Sequence, residues 1–143
     1  MGKKRVAVVK GEESLNKQEE AGKKKKRRVL NRANVYIRAS YNNTQITVSD
    51  ENGNVVAWAT AGAAGFKGPR KATPYAASKI VDIIFEKLDS VDIKEANIFA
   101  KGIGSGRDSA LRALTNRNLN IISIKDITPI PHNGCRPAKR RRV

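Results

Sequence analysis

Histidine and cysteine are almost absent from this chain of 143 residues, which holds one of each, His132 and Cys135. One thiol cannot close an intramolecular disulfide, and one thiol with one imidazole is too few for a structural zinc site. The same scarcity removes a Ser-His-Asp set, because the only histidine stands beside arginines near the C-terminus. Long apolar runs are also missing: none approaches the roughly 20 residues needed to cross a bilayer, and the N-terminus lacks the apolar segment of a secretory signal. Glu12, Glu13, Glu19 and Glu20 are out of keeping with the acid-poor composition of an organellar transit peptide. The expectation is a soluble chain with no membrane partner, in a reducing compartment, the cytoplasm, with an organelle as the remaining alternative.

Acidic residues are the next shortage, 13 against 29 Lys and Arg, for a net charge of +16. The excess is uneven: residues 1–32 carry +8, residues 33–131 carry +3 and residues 132–143 carry +5. A nearly balanced body flanked by two basic arms follows. In the final stretch, Pro129, Pro131 and Pro137 forbid a helix or a central strand, each fixing φ and removing a donor. Such a tail orders only against a polyanion, and its stiff proline steps lessen the entropy lost on docking. Nucleic acid is the natural partner, since each neutralised phosphate releases counterions; arms that merely solubilise are the plainer alternative.

The chain length suits one domain with a modest core. Three divisions are expected: a basic, disordered arm over residues 1–32, too poor in large apolar side chains to offset ordering entropy; a globular body over 33–127; and the Pro-rich basic tail over 128–143. In the body, Val35–Tyr41, Gln45–Ser49 and Val55–Thr60 read as three strands of a meander, with turns at Asn42–Asn43 and Asp50–Gly53. Thr73 can cap a helix with Pro74 in its first turn, and Ala77, Ile80, Val81, Ile84 and Leu88 give it an apolar stripe ending near Asp89. A fourth strand over Glu95–Lys101, with Ile98 and Ala100 apart from Ala96 and Phe99, leads through a glycine loop to a second helix around Ala110–Leu114. A fifth strand spans Leu119–Ile124. The order βββαβαβ predicts an α/β fold, a mixed five-stranded sheet with flanking helices and right-handed crossovers.

Two loops and two ends carry the candidate chemistry. Between the third strand and first helix, Lys67, Arg70 and Lys71 lie among Gly62, Gly65 and Gly68, where missing side chains let another backbone approach; Phe66 either stacks on a base there or anchors the loop. The Gly102–Gly106 loop with Arg107 precedes a helix, where free N–H groups favour an anion. It is neither a Walker loop nor G-x-G-x-x-G, and a sharp turn with close helix packing explains its glycines as well. Asn42 and Asn43 either hydrogen-bond RNA or only make their turn. Asn133, before Gly134, is a turn former prone to deamidation, and Arg136, Lys139, Arg140, Arg141 and Arg142 supply the tail's charge. No converging carboxylates or metal ligands are visible, so no catalytic residue, metal, cofactor or small-molecule substrate is expected.

Four ordered motifs over about residues 33–143 resemble the bacterial form of the small-subunit ribosomal protein S-eleven family. They are Tyr36–Thr44, then Trp58–Gly62 with Gly65–Gly68 and Arg70–Ala77, then Lys101–Gly102 with Gly104 and Gly106–Arg107, and last Asp126–Pro137. The resemblance implies a ribonuclease H-like fold and a structural role on the platform of the small subunit. It further implies contact with the central domain of small-subunit ribosomal RNA and with neighbouring platform proteins, messenger RNA passing nearby. By carry-over, Asn42, Asn43, Lys67, Arg70, Lys71, Arg107 and the tail from Asn133 to Arg142 touch RNA. Pro69 stands where serine is expected, Ile103 and Ser105 where prolines are, and the N-terminal arm is long for the family. Without the resemblance, the residues alone leave a basic DNA-packaging protein as the alternative, although basic residues gathered in loops rather than along a helix favour folded RNA.

Overall fold

Strand β1 (Arg28–Ala39) places Ala33, Val35, Ile37 and Ala39 at every second position, and all four are buried. Its neighbours keep the same parity: Ile46 and Val48 of β2 (Thr44–Asp50), Ala57 and Ala59 of β3 (Val55–Thr60), and Ala96, Ile98 and Ala100 of β4 (Val91–Lys101). Side chains alternate across a pleated strand, so this parity gives the sheet one apolar face. Strand β5 (Asn120–Asp126) completes a sheet of order β3-β2-β1-β4-β5. Pairing is antiparallel among β3, β2 and β1, and parallel among β1, β4 and β5. The computed structural model describes residues 28–136, 138 and 139, and within them the expected order βββαβαβ and mixed sheet are present.

Helix α1 (Pro74–Lys87) begins as its capping signals require, with Ala76 N–H donating to Thr73 Oγ1 at 3.3 Å and proline in the first turn. It buries Ala76, Ala77, Ile80, Val81 and Ile84, and α2 (Gly106–Thr115) buries Ala110 and Leu114 beside it. Both helices cover the apolar face, and among the described residues no helix lies on the other face. The fully buried Ile37, Ile46, Ile80, Ile84 and Ile98 form the centre of this layer, each worth about 1.5–3 kcal/mol in surface removed from water. After α2, Arg117 returns to α1, bonding Asp82 and lying over the Phe85 ring at 5.2 Å. Burial works against ionisation of Asp82, but its bonds to Arg117 and Lys79 prevail and hold its carboxyl below the usual range.

The strands differ from expectation at their ends. β1 starts at Arg28, inside the stretch expected to be an arm, because residues 28–38 pair in parallel with 91–101 of β4 and Leu30 reaches the core. β4 is lengthened by the same pairing, starting at Val91 rather than Glu95. β1 stops at Ala39, not Tyr41, where Ser40 N–H donates to Asn43 O at 2.9 Å and closes a turn. Ala96 shares the buried face with Ile98 and Ala100, and of the four expected positions Phe99 alone faces the other way. The remainder of the expected N-terminal arm, residues 1–27, lies outside the described residues.

Candidate nucleic-acid interface

Strand direction sorts the loops between two poles. β1, β3, β4 and β5 all end at one pole, where β2 begins and both helices have their N-termini. The Ser40–Asn43 turn, the segment from Ala61 to Thr73, the Gly102–Ser105 loop and the start of the tail at Ile127 therefore converge there. The other pole receives the Glu51–Asn54 turn, Asp89, Asp92 and the start of β1. Lys67, Arg70, Lys71 and the root of the tail lie at the first pole, and Glu51, Asp89 and Asp92 at the second; the helix dipoles add partial positive charge to the first.

Lys67, Arg70 and Lys71 surround a 3-10 turn over Gly68–Ala72. The turn is fixed at its exit, where the Thr73 hydroxyl donates to Arg70 O at 2.8 Å and Ser105 Oγ donates to Ala72 O at 2.8 Å. Ser105, one of the positions departing from the family pattern, thus ties the two candidate loops together. Arg70 and Lys67 are exposed and Lys71 half-buried, and none of the three has an acidic partner among the described residues. Phe66 is partly buried against the core and meets Tyr75 edge-on at 6.0 Å; it anchors the loop.

The glycines of the second loop serve close approach. A Cβ on Gly102, whose φ is +103°, would lie 2.0 Å from Ala39 O, and one on Gly104 2.3 Å from Ser40 O. The loop thus lies directly on the end of β1, with Gly104 N–H donating to Ala39 O at 3.2 Å. Beside it Arg107 closes a ring of hydrogen bonds. Its Nη1 donates to Gly102 O at 3.1 Å and its Nη2 to Asp126 Oδ2 at 2.7 Å; Asp126 Oδ1 accepts from the Thr128 hydroxyl at 2.6 Å, and Thr128 Oγ1 accepts from Gly102 N–H at 3.0 Å. Bonds from the hydroxyl and N–H of Thr128, then that from Arg107, bring the Asp126 carboxyl down to about 2. The ring fixes the direction in which the tail leaves the sheet.

Asn42 is exposed, whereas Asn43 is half-buried with its N–H on Ser40 Oγ at 3.1 Å and its Oδ1 unpartnered. Thr44 Oγ1 is likewise buried without a partner, against Gly106. In the tail, Asn133 adopts φ +52° and makes a turn, a conformation asparagine tolerates better than most residues. Arg136 and Lys139 are exposed; Arg140, Arg141 and Arg142 lie outside the described residues. Two larger hollows lie on the helix side around Asp82 and Arg117, with the Lys79–Asp82 and Arg117–Asp82 pairs in their lining.

The chain matches the ribosomal protein S11 family over residues 33–142. It belongs to that family. It is 48% identical over 123 residues to the small ribosomal subunit protein uS11 of Francisella tularensis subsp. novicida strain U112, covering 86% of this chain and 95% of the relative. The same figures hold for the uS11 proteins of F. tularensis subsp. tularensis strains WY96-3418 and FSC 198. S11 membership makes this a structural ribosomal protein rather than an enzyme, and displaces the DNA-packaging alternative.

Sequence reasoning missed the ring at the tail's root, whose members Gly102, Arg107, Asp126 and Thr128 are spread over 27 positions of the chain. The only signal for it was the coincidence of strand ends that the βαβαβ order imposes. It also missed the bond from Ser105 to Ala72 O, since the sequence singled out Ser105 only as a position where proline is expected.

Proposed function

We propose that this protein joins the platform of the small ribosomal subunit in the cytoplasm and holds the central domain of small-subunit ribosomal RNA at the pole where its loops converge. The observation that carries this reading is the gathering of Lys67, Arg70, Lys71 and the root of the basic tail at one pole, beside two helix N-termini and away from Glu51, Asp89 and Asp92. Asn42 and Asn43 offer amides at the same pole, and Arg107, its charge offset by Asp126, stands at the base of its loop as a further RNA contact. Asn133, Arg136, Lys139 and Arg140 to Arg142 extend the surface along the tail, with the arm before Arg28 adding phosphate contacts of its own.

The order β3-β2-β1-β4-β5, with helices on the crossovers, supports a ribonuclease H-like description of the body. The role is scaffolding: loops packed against one another present charge in a fixed pattern, which suits recognition of RNA shape through sugar and phosphate. Neighbouring platform proteins and the exit path of messenger RNA belong to the same placement. Filter binding tests it, comparing a central-domain RNA fragment with unrelated structured RNA and duplex DNA of equal length over a salt series. Preference for the ribosomal fragment that survives added salt is expected, and equal binding to all three would refute the placement. Changing Lys67, Arg70 and Lys71 together to alanine should lower the slope of log affinity against log salt by about 2–3, at ~0.7–0.9 for each phosphate left without its cation.

A further inference from the structure

The face of the sheet away from the helices has a chemistry of its own. Tyr36 of β1 and Phe99 of β4 are register partners there, with ring centroids 5.1 Å apart and planes 17° from parallel. The next positions in the same row are Thr47 of β2 beyond Tyr36 and Lys125 of β5 beyond Phe99; Tyr36 is 39% exposed. Arg38 and Lys101 form the next row toward the basic pole, paired in register, and Lys125 of β5 stands beside Phe99. None of these three cations has an acidic partner among the described residues, while the carboxylate on this face, Glu95, is bonded to Arg32 at 2.9 Å. A hollow of about 200 Å³ lies between the aromatic row and the cationic row, with Gln45 and Ile127 at its wall. The Gln45 amide has no hydrogen-bond partner among the described residues.

We infer that this open face binds unpaired nucleotides of an RNA strand, one base lying against the Tyr36–Phe99 pair at this hollow while Arg38, Lys101 and Lys125 hold the adjoining phosphates. The inference rests on the RNA-binding role proposed above, but on a different surface. Charge complementarity selects the occupant: a protein strand or helix of ordinary composition would leave three cations facing no anion, whereas a nucleotide supplies a flat π surface, an edge for the Gln45 amide and a phosphate in one unit. Arg38 and Lys101 border the pole that carries the loops and tail, so a strand leaving that pole meets the stack next. A duplex cannot use the site, because its bases are already stacked on each other.

The test is anisotropy of a labelled single-stranded oligouridine octamer and of an eight-base-pair RNA duplex, with the full chain. Trp58, the only tryptophan and 52% exposed on the same face, reports occupancy through its own fluorescence. Phe99→Leu keeps an apolar side chain but removes the ring, and is expected to weaken octamer binding about tenfold while leaving duplex binding within twofold. Lys101→Gln with Lys125→Gln, both at exposed positions, guards against a folding defect: it should reduce the octamer's salt slope by about 1.4 with an unchanged melting midpoint. Octamer affinity within twofold of the parent in both variants, with both folded, would overturn the inference. If preference for the central-domain fragment persists in that case, the open face alone is misassigned; if that preference is absent in the parent chain, the platform reading falls first.

Discussion

Replacing Gly102 by alanine incurs two separate costs at one position. At φ +103° an L side chain is strained by about 1–3 kcal/mol. The new Cβ would also lie 2.0 Å from Ala39 O and 3.0 Å from its carbonyl carbon, so the loop or the end of β1 must move by more than 1 Å relative to an ordinary contact near ~3.2 Å, at about 1–3 kcal/mol for overpacking. Together the loss is expected near 4 kcal/mol, a large part of the ~5–15 kcal/mol typical of a domain. Gly68→Ala provides the internal standard. Its φ is +57° and nothing lies within 4 Å of its would-be Cβ, so only the left-handed backbone cost of about 1–2 kcal/mol remains. Urea unfolding followed by far-ultraviolet circular dichroism at pH 7 measures both. Equal losses for Gly102→Ala and Gly68→Ala, or a loss below about 1 kcal/mol for Gly102→Ala, would refute the argument that the loop is pinned against β1.

Two further outcomes are expected. The Asp126 carboxyl titrates near 2 in the folded chain against an ordinary 3.8; a lowered folded value means that its stabilisation is complete above about 4 and is lost as pH falls toward 2. The gap in urea midpoint between the parent and Asp126→Asn should therefore narrow between pH 5 and pH 2.5, and a constant gap would show that the ring with Arg107 and Thr128 does not depend on the ionised carboxylate. Thr44→Val removes a buried hydroxyl with no partner while keeping the branched shape, so stability should stay the same or rise by about 1 kcal/mol; a fall beyond 1 kcal/mol in a thermal melt would mean that the hydroxyl is satisfied in solution.

Elements defined by local signals were legible in the sequence. Thr73 and Pro74 mark the start of α1 because capping is settled within four residues, and Val55–Thr60 is bounded by a turn and a glycine loop. The first residues of β1 and β4 were not legible, because each strand is held by the other across 63 positions, and Arg28 followed by Val29 looks like the end of a charged run when read locally. The same distance hid the Tyr36–Phe99 pair. Arg107 could be recognised as basic near a loop, but its partner Asp126 is 19 residues away, so its engagement within the protein had no local trace. The basic loops were legible as charge; their convergence was visible only once strand direction was known.

β1 enters the sheet at Arg28 at one pole, and the tail leaves β5 at the other. Eleven steps at ~3.3 Å separate the two ends of β1 by about 36 Å. The two basic flanks therefore join the body on opposite sides, and under the RNA-binding role proposed above they would act on separate stretches of RNA. In that role, binding of one flank would make the second contact intramolecular, formed at an effective concentration set by the separation of the two ends of the sheet rather than by the amount of protein in solution. Shortening either flank should then cost more than its own phosphate contacts, whereas moving both flanks to one pole would keep every charge and lose the coupling.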